Sequence, residues 1–146
     1  MSVSTIRVNG HVAEMSDDEL LRSFEDLSLD PASFSHRRHL QVAWAYLQRQ
    51  GFPEGAVRFR ERLRAYVEAA GAAAKYHETI TWAYLFLLNE ERCLRSAAGE
   101  GFDLMIARRP DLLDHRNGAI SRCYPGDQLQ RADARSVFLL PTMVSR

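Results

Sequence analysis

An all-α fold follows from three features of the amino-acid sequence. Apolar residues recur at helical spacing through most of the chain, serine, proline and glycine stand where helices begin and end, and the one alternating piece, Ile6 and Val8, is too short to make more than a short strand. The architecture expected is a single-domain helical bundle with about four main helices and a C-terminal segment of short helices. At 146 residues a chain withdraws roughly 68% of its unfolded surface from water, so one core forms without disulfides or structural zinc.

Residues 1–15 read as an irregular lead-in. Ser16 precedes Glu19 at capping-box spacing, Asp17 and Asp18 suit the positive end of the helix dipole, and Leu20, Leu21, Phe24 and Leu27 supply an apolar stripe. This predicts a first helix over 17–27, broken by Asp30-Pro31. Ser35 caps a second helix over 36–50, which ends at Gly51. Pro53 fits the first turn of a third helix, because its missing N–H costs little there, and Val57, Leu63, Tyr66 and Val67 carry that helix to Gly71. A small-residue linker then leads to a fourth helix over 76–97, stopped by Gly99. It is apolar nearly all round over 80–88 and is expected to be the most buried element, covered by the C-terminal segments or by a second copy in a homodimer. Brief helices are expected at 102–108, 110–115, 119–124 and 132–138.

Composition excludes several classes of function. The 19 basic and 19 acidic residues cancel, only Lys75 is a lysine, and the arginines are interleaved with carboxylates, which argues against nucleic-acid binding. The longest apolar run, 82–88, is about a third of a bilayer span. Residues 1–20 lack the apolar block of an export signal, and Cys93 and Cys123 stand alone without metal or disulfide spacing; both point to the cytoplasm. No phosphate-binding glycine loop, nucleophile elbow or zinc-protease motif is present.

The chemistry gathers at two histidine clusters. His36 shares a helical stripe with Leu40, Ala43 and Leu47, and His39 lies about 60° from that stripe's centre, so both imidazoles point inward. The second cluster, 75–79, opens the fourth helix with Lys75, Tyr76, His77, Glu78 and Thr79. Two histidines at i, i+3 reach one ion, and His77 from a facing helix completes a facial set that leaves coordination positions open. Imidazole ligands suit iron, copper or zinc alike. Glu78 is then a fourth ligand, a general base beside bound water, or an acceptor that orients an imidazole. Tyr76 is a second catalytic candidate. Aromatic residues around the clusters (Phe34, Trp44, Tyr46, Tyr76, Trp82, Tyr84) suggest a walled pocket, with Trp44, Tyr84 and Arg135 as substrate-pocket candidates, Arg135 through its affinity for anions. Arg37, Arg38 and the run Arg58, Arg60, Arg62, Arg64 read as solvated charge, and His11 and His115 as ordinary surface residues.

The strings FSHRRHLQVAW at 34–44 and KYHETIT at 75–81, with the tail at 134–141, resemble a family of small bacterial all-helical proteins. The resemblance covers most of the chain from the second helix onward. It implies a small helical domain with His36, His39, His77 and Glu78 as motif positions, and it implies no particular activity.

The functional expectation is a metal-dependent enzyme acting on a small molecule through a three-histidine site, by metal-assisted hydrolysis or by an oxygen-dependent reaction. Two alternatives stand beside it: a module that binds a metal or small ligand without turnover, and a structural helical domain that associates with a partner protein.

Overall fold

The computed structural model describes residues 7–8, 11–12 and 15–141, and among these residues it has seven α-helices, short 3-10 turns and a minimal hairpin. The hairpin pairs β1 (Arg7–Val8) with β2 (His11–Val12) antiparallel, Arg7 opposite Val12. Ile6 and the side chain of His11 lie outside the described residues. The helices are α1 (Asp17–Glu25), α2 (His36–Gln50), α3 (Glu54–Ala69), α4 (Glu78–Leu94), α5 (Phe102–Arg108), α6 (Ala119–Cys123) and α7 (Ala132–Ser136). No helix among the described residues is long and apolar enough to cross a membrane.

Local chemistry explains most boundaries. Ser16 Oγ accepts from the Glu19 N–H at 3.2 Å and Ser35 Oγ from the Arg38 N–H at 3.3 Å, so α1 and α2 begin on side-chain caps. α1 stops two residues earlier than its apolar stripe suggests, because Leu27 adopts φ 67, a left-handed conformation that no helix continues through. Asp30 caps a 3-10 turn at Pro31–Ser33, its carboxylate accepting from the Ala32 N–H at 3.0 Å. Gly51, at φ 74, ends α2 where L-residues are disfavoured. Segment 110–115 is a 3-10 turn over Pro110–Leu112 rather than a helix, followed by turns.

α2 is the central element. It packs on α1, α3, α4 and α5, and buries Leu40, Val42, Ala43, Trp44, Tyr46 and Leu47. Its approach to α3 is close enough that a Cβ at Gly55 would strike the Tyr46 carbonyl. α4 is less enclosed than its composition suggests. Tyr84, Leu85 and Leu88 face inward, but Phe86 is 45% exposed and sits in a half-covered aromatic cluster with Phe52, Trp82 and Phe138.

α7 is docked on α4 by Thr79. This fully buried hydroxyl lies 2.7 Å from the Ala134 carbonyl and 2.9 Å from that of Val137, with its single proton serving them, and accepts from the Leu139 N–H at 3.0 Å.

The alternating arginines of α3 are ties between helices rather than a solvated face. Arg58 and Arg62 bond to Glu25 at the end of α1, Arg60 pairs with Glu78, and the Arg64 guanidinium stands 5.4 Å over the Tyr76 ring.

Candidate functional site

A cavity of about 500 Å³ opens between α2, α3 and α4. Its walls are chiefly apolar, with Leu40, Ala43, Leu63, Val67 and Ile80 among them. His36 and His39 reach it from the first turn of α2, His77 from the start of α4, and Tyr76, Thr81 and Tyr84 from the same end of the chain's longest helix and the segment before it. The two histidine clusters recognised in the sequence therefore border one space.

They do not border it as a metal set. His77 is the N-cap of α4: in extended conformation, with 7% of its surface exposed, its Nδ1 accepts from the Ile80 N–H at 3.1 Å and its Nε2–H donates to the Leu129 carbonyl at 2.7 Å. Both nitrogens are committed, and no lone pair is left for an ion. Among the described residues no group of three or more His, Cys, Asp or Glu side chains is placed to hold one.

Glu78 is committed as well, and lies outside the cavity lining. It takes a bidentate pair from Arg60, at 2.8 and 2.7 Å, and a third hydrogen bond from the Tyr76 hydroxyl at 2.6 Å. The Arg60 hydrogen bonds hold its carboxyl below the usual range, against the opposing effect of burial. A carboxylate so stabilised is a weak base, and its role is to anchor the first turn of α4 to α3. Tyr76 is the other half of that anchor. Burial, reinforced by the bond to Glu78, pushes its phenol up to about 12, so it stays protonated and donates.

His36 and His39 are arranged differently. His36 Nε2 lies 2.9 Å from the Leu112 carbonyl and His39 Nδ1 lies 3.0 Å from the Ser35 carbonyl. A carbonyl only accepts, so each of these nitrogens carries the proton, and the opposite nitrogen, Nδ1 of His36 and Nε2 of His39, holds a lone pair. Burial lowers the pKa of both rings; the carbonyl hydrogen bonds oppose this in part, and the neighbouring histidine, His115 for His36 and His36 for His39, lowers each further. The His39 ring is also fixed by stacking on Phe34, 3.8 Å between centroids.

Tyr84 places its ring edge-on to His36 at 5.1 Å. Its hydroxyl is buried without a hydrogen-bond partner among the described residues, and burial first, then Asp114 and Asp111, push its pKa well up. His115, read from the sequence as a plain surface residue, is exposed yet lines the cavity, its ring 5.6 Å from that of His36. Nothing in its local sequence signals this, because the turns after Leu112 bring it there.

The remaining candidates lie elsewhere. Trp44 is buried in the core, where its indole N–H donates to the Glu100 carbonyl at 2.9 Å, and it does not line the cavity. Arg135 is exposed, reaches the Ala74 carbonyl at 3.3 Å and is outside the lining too. Its charge is felt at His77, whose pKa is lowered chiefly by burial and further by Arg135, the Leu129 hydrogen bond opposing them. In comparisons with protein-family models, with curated proteins and with solved structures, nothing matches the chain.

Proposed function

We propose that this chain is a one-domain helical protein, built on α1 to α4, that binds a small organic molecule in the cavity between α2, α3 and α4. The observation that carries the reading is the pairing of a largely apolar space of about 500 Å³ with two imidazoles, held toward their neutral forms by burial, whose lone pairs have no partner among the described residues. Ligand sites have this composition: a concave apolar wall that supplies most of the affinity, and a few polar groups that fix orientation. The volume lies within the range of sites that take drug-sized molecules, about 300–1,000 Å³.

The expected three-histidine metal chemistry loses support at His77 and Glu78, which are spent on capping and on Arg60. A reduced form of it keeps one observation in its favour. His36 and His39 each turn an N–H onto a backbone carbonyl, as metal-ligating histidines do, so a transition metal completed by the substrate's own donors is the second reading. Elemental analysis of protein purified without a histidine tag separates the two, since stoichiometric iron, copper or zinc supports the second.

The first reading is tested by amide NMR during titration with a panel of aromatic fragments. Binding shifts are expected at Ala43, Leu63, Ile80 and Tyr84, and are expected to vanish in Val67→Trp, which fills the cavity from a half-buried wall position. Fragments that shift only residues outside the cavity, or that bind the plugged variant equally well, would overturn it.

A further inference from the structure

We infer that the ligand of this cavity is an uncharged molecule with an apolar body that presents a hydroxyl or an N–H to an imidazole lone pair. The inference rests on the reading of the cavity as a ligand site and adds the chemical class of the ligand. It comes from an inventory of hydrogen-bonding capacity around the wall. The imidazole N–H groups of His36, His39 and His77 all point at backbone carbonyls, of Leu112, Ser35 and Leu129. The phenol protons of Tyr66 and Tyr76 are given to the Leu29 carbonyl and to Glu78. The Tyr84 hydroxyl is buried. Apart from the Lys75 ammonium at the rim and the exposed His115 ring, and with the Thr81 hydroxyl bonded to Tyr76, the side-chain donors of the wall are spent or sealed, and what His36 and His39 leave is acceptors, His36 Nδ1 and His39 Nε2. Both rings line the cavity.

Charge is treated consistently by the same wall. Among the described residues no aspartate or glutamate lines it, which removes the natural counter-ion for a cationic ligand. Its one formal charge, Lys75, is exposed at the rim. Burial holds the His36, His39 and His77 rings toward their neutral forms, and the same desolvation would act on a charged ligand. A neutral donor on an apolar frame meets these conditions. A molecule that only accepts hydrogen bonds does not, because it would face lone pair with lone pair.

A matched set of naphthalenes separates the classes: 2-naphthol, which donates; 2-methoxynaphthalene, which only accepts; 2-methylnaphthalene, which does neither; and 2-naphthoate, which is charged. Dissociation constants measured at pH 7.5 with the full chain are expected to favour 2-naphthol by about tenfold over the methoxy and methyl compounds, the worth of one net hydrogen bond, with 2-naphthoate weakest. The double variant His36→Phe, His39→Phe is expected to bring the ratio of 2-naphthol to 2-methylnaphthalene affinity down to about one. Equal binding of 2-naphthol and 2-methylnaphthalene to the wild-type chain would overturn the assigned class and leave the cavity standing as a ligand site. Tightest binding of 2-naphthoate, lost in Lys75→Met, would overturn it in favour of an anionic ligand. Failure of all four to bind would remove the ligand site itself.

Discussion

Two polar regions flank α4, and they differ in whether their valences are filled. At its C-terminal end Glu91, fully buried, is surrounded by Arg95 at 3.2 Å, Arg108 at 3.3 Å and Arg109 at 3.0 Å. Those arginines are shared in turn with Glu90, Glu100 and Asp111. Asp111, also gripped by Arg122, is held down to about 2, chiefly by its hydrogen bonds to Arg109. Every charge there has an opposite number. At the N-terminal end, beside the Glu78–Arg60 pair, lies a void lined by four histidines and, among the described residues, by no carboxylate. Saturated polarity of the first kind serves the fold. Neutral groups with open lone pairs beside an unfilled space are the kind of arrangement that recognises something from outside.

The sharpest way to break this comparison is at Glu91. Glu91→Gln leaves three guanidiniums around a neutral amide, and removal of one partner from a buried charge cluster costs 3–5 kcal/mol; with the arginines partly in water the lower end applies, about 3 kcal/mol. Urea denaturation is the measurement, and a loss below about 1 kcal/mol would show the cluster to be ordinary surface charge. Ligand binding by the surviving folded fraction is expected to be unaffected.

At the cavity end the expected effects on stability are smaller. His77→Ala removes the cap of α4 and the tie to Leu129, for about 1–2 kcal/mol, and His77→Asn recovers part of it because an asparagine oxygen also caps the Ile80 N–H. Equal stability of the two variants would contradict the capping role.

Acid provides a milder perturbation. His36, His39 and His77 have folded pKa values below the ordinary 6.5, so on acidification the unfolded chain takes up protons first. Stability is complete above that value and declines as the pH falls through it toward the depressed folded values. The decline is expected to flatten in the triple variant His36→Phe, His39→Phe, His77→Asn. A stability curve that rises on acidification through this window would contradict buried neutral imidazoles. The smallest effect is expected at Arg135→Ala, within about 0.5 kcal/mol and without change in fragment affinity, since that side chain is exposed, bonds to the Ala74 carbonyl and lies outside the cavity lining.

Much of the helical frame was legible because it is written locally. Ser16, Ser35, Gly51 and Gly71 act through their own neighbours in sequence, and the helices they bound lie within a few residues of expectation. The site was legible only as an address. His36, His39, Tyr76, His77 and Tyr84 do line one cavity, since helical phase places a side chain on a face. Which partner each nitrogen meets on that face is a long-range matter. The Leu129 carbonyl that occupies His77 is 52 positions away, and the Leu112 carbonyl that orients His36 is 76 away. Separation in sequence also hid the pairing of Glu78 with Arg60, 18 positions apart, and the arrival of His115. Glu91 was hidden differently: a carboxylate in a mixed charged stretch looks like a solvated one until three arginines from two other turns of chain close over it.

The tautomeric states of the histidine rings decide whether the cavity offers acceptors, and long-range ¹H–¹⁵N correlation spectra of the free protein at pH 7.5 read them without any ligand. Neutral rings are expected, protonated at Nε2 in His36 and at Nδ1 in His39, with both unprotonated nitrogens shifting on addition of 2-naphthol. Doubly protonated rings at that pH, or the opposite tautomer at both positions, would contradict the reading of this cavity as a site for a neutral hydrogen-bond donor.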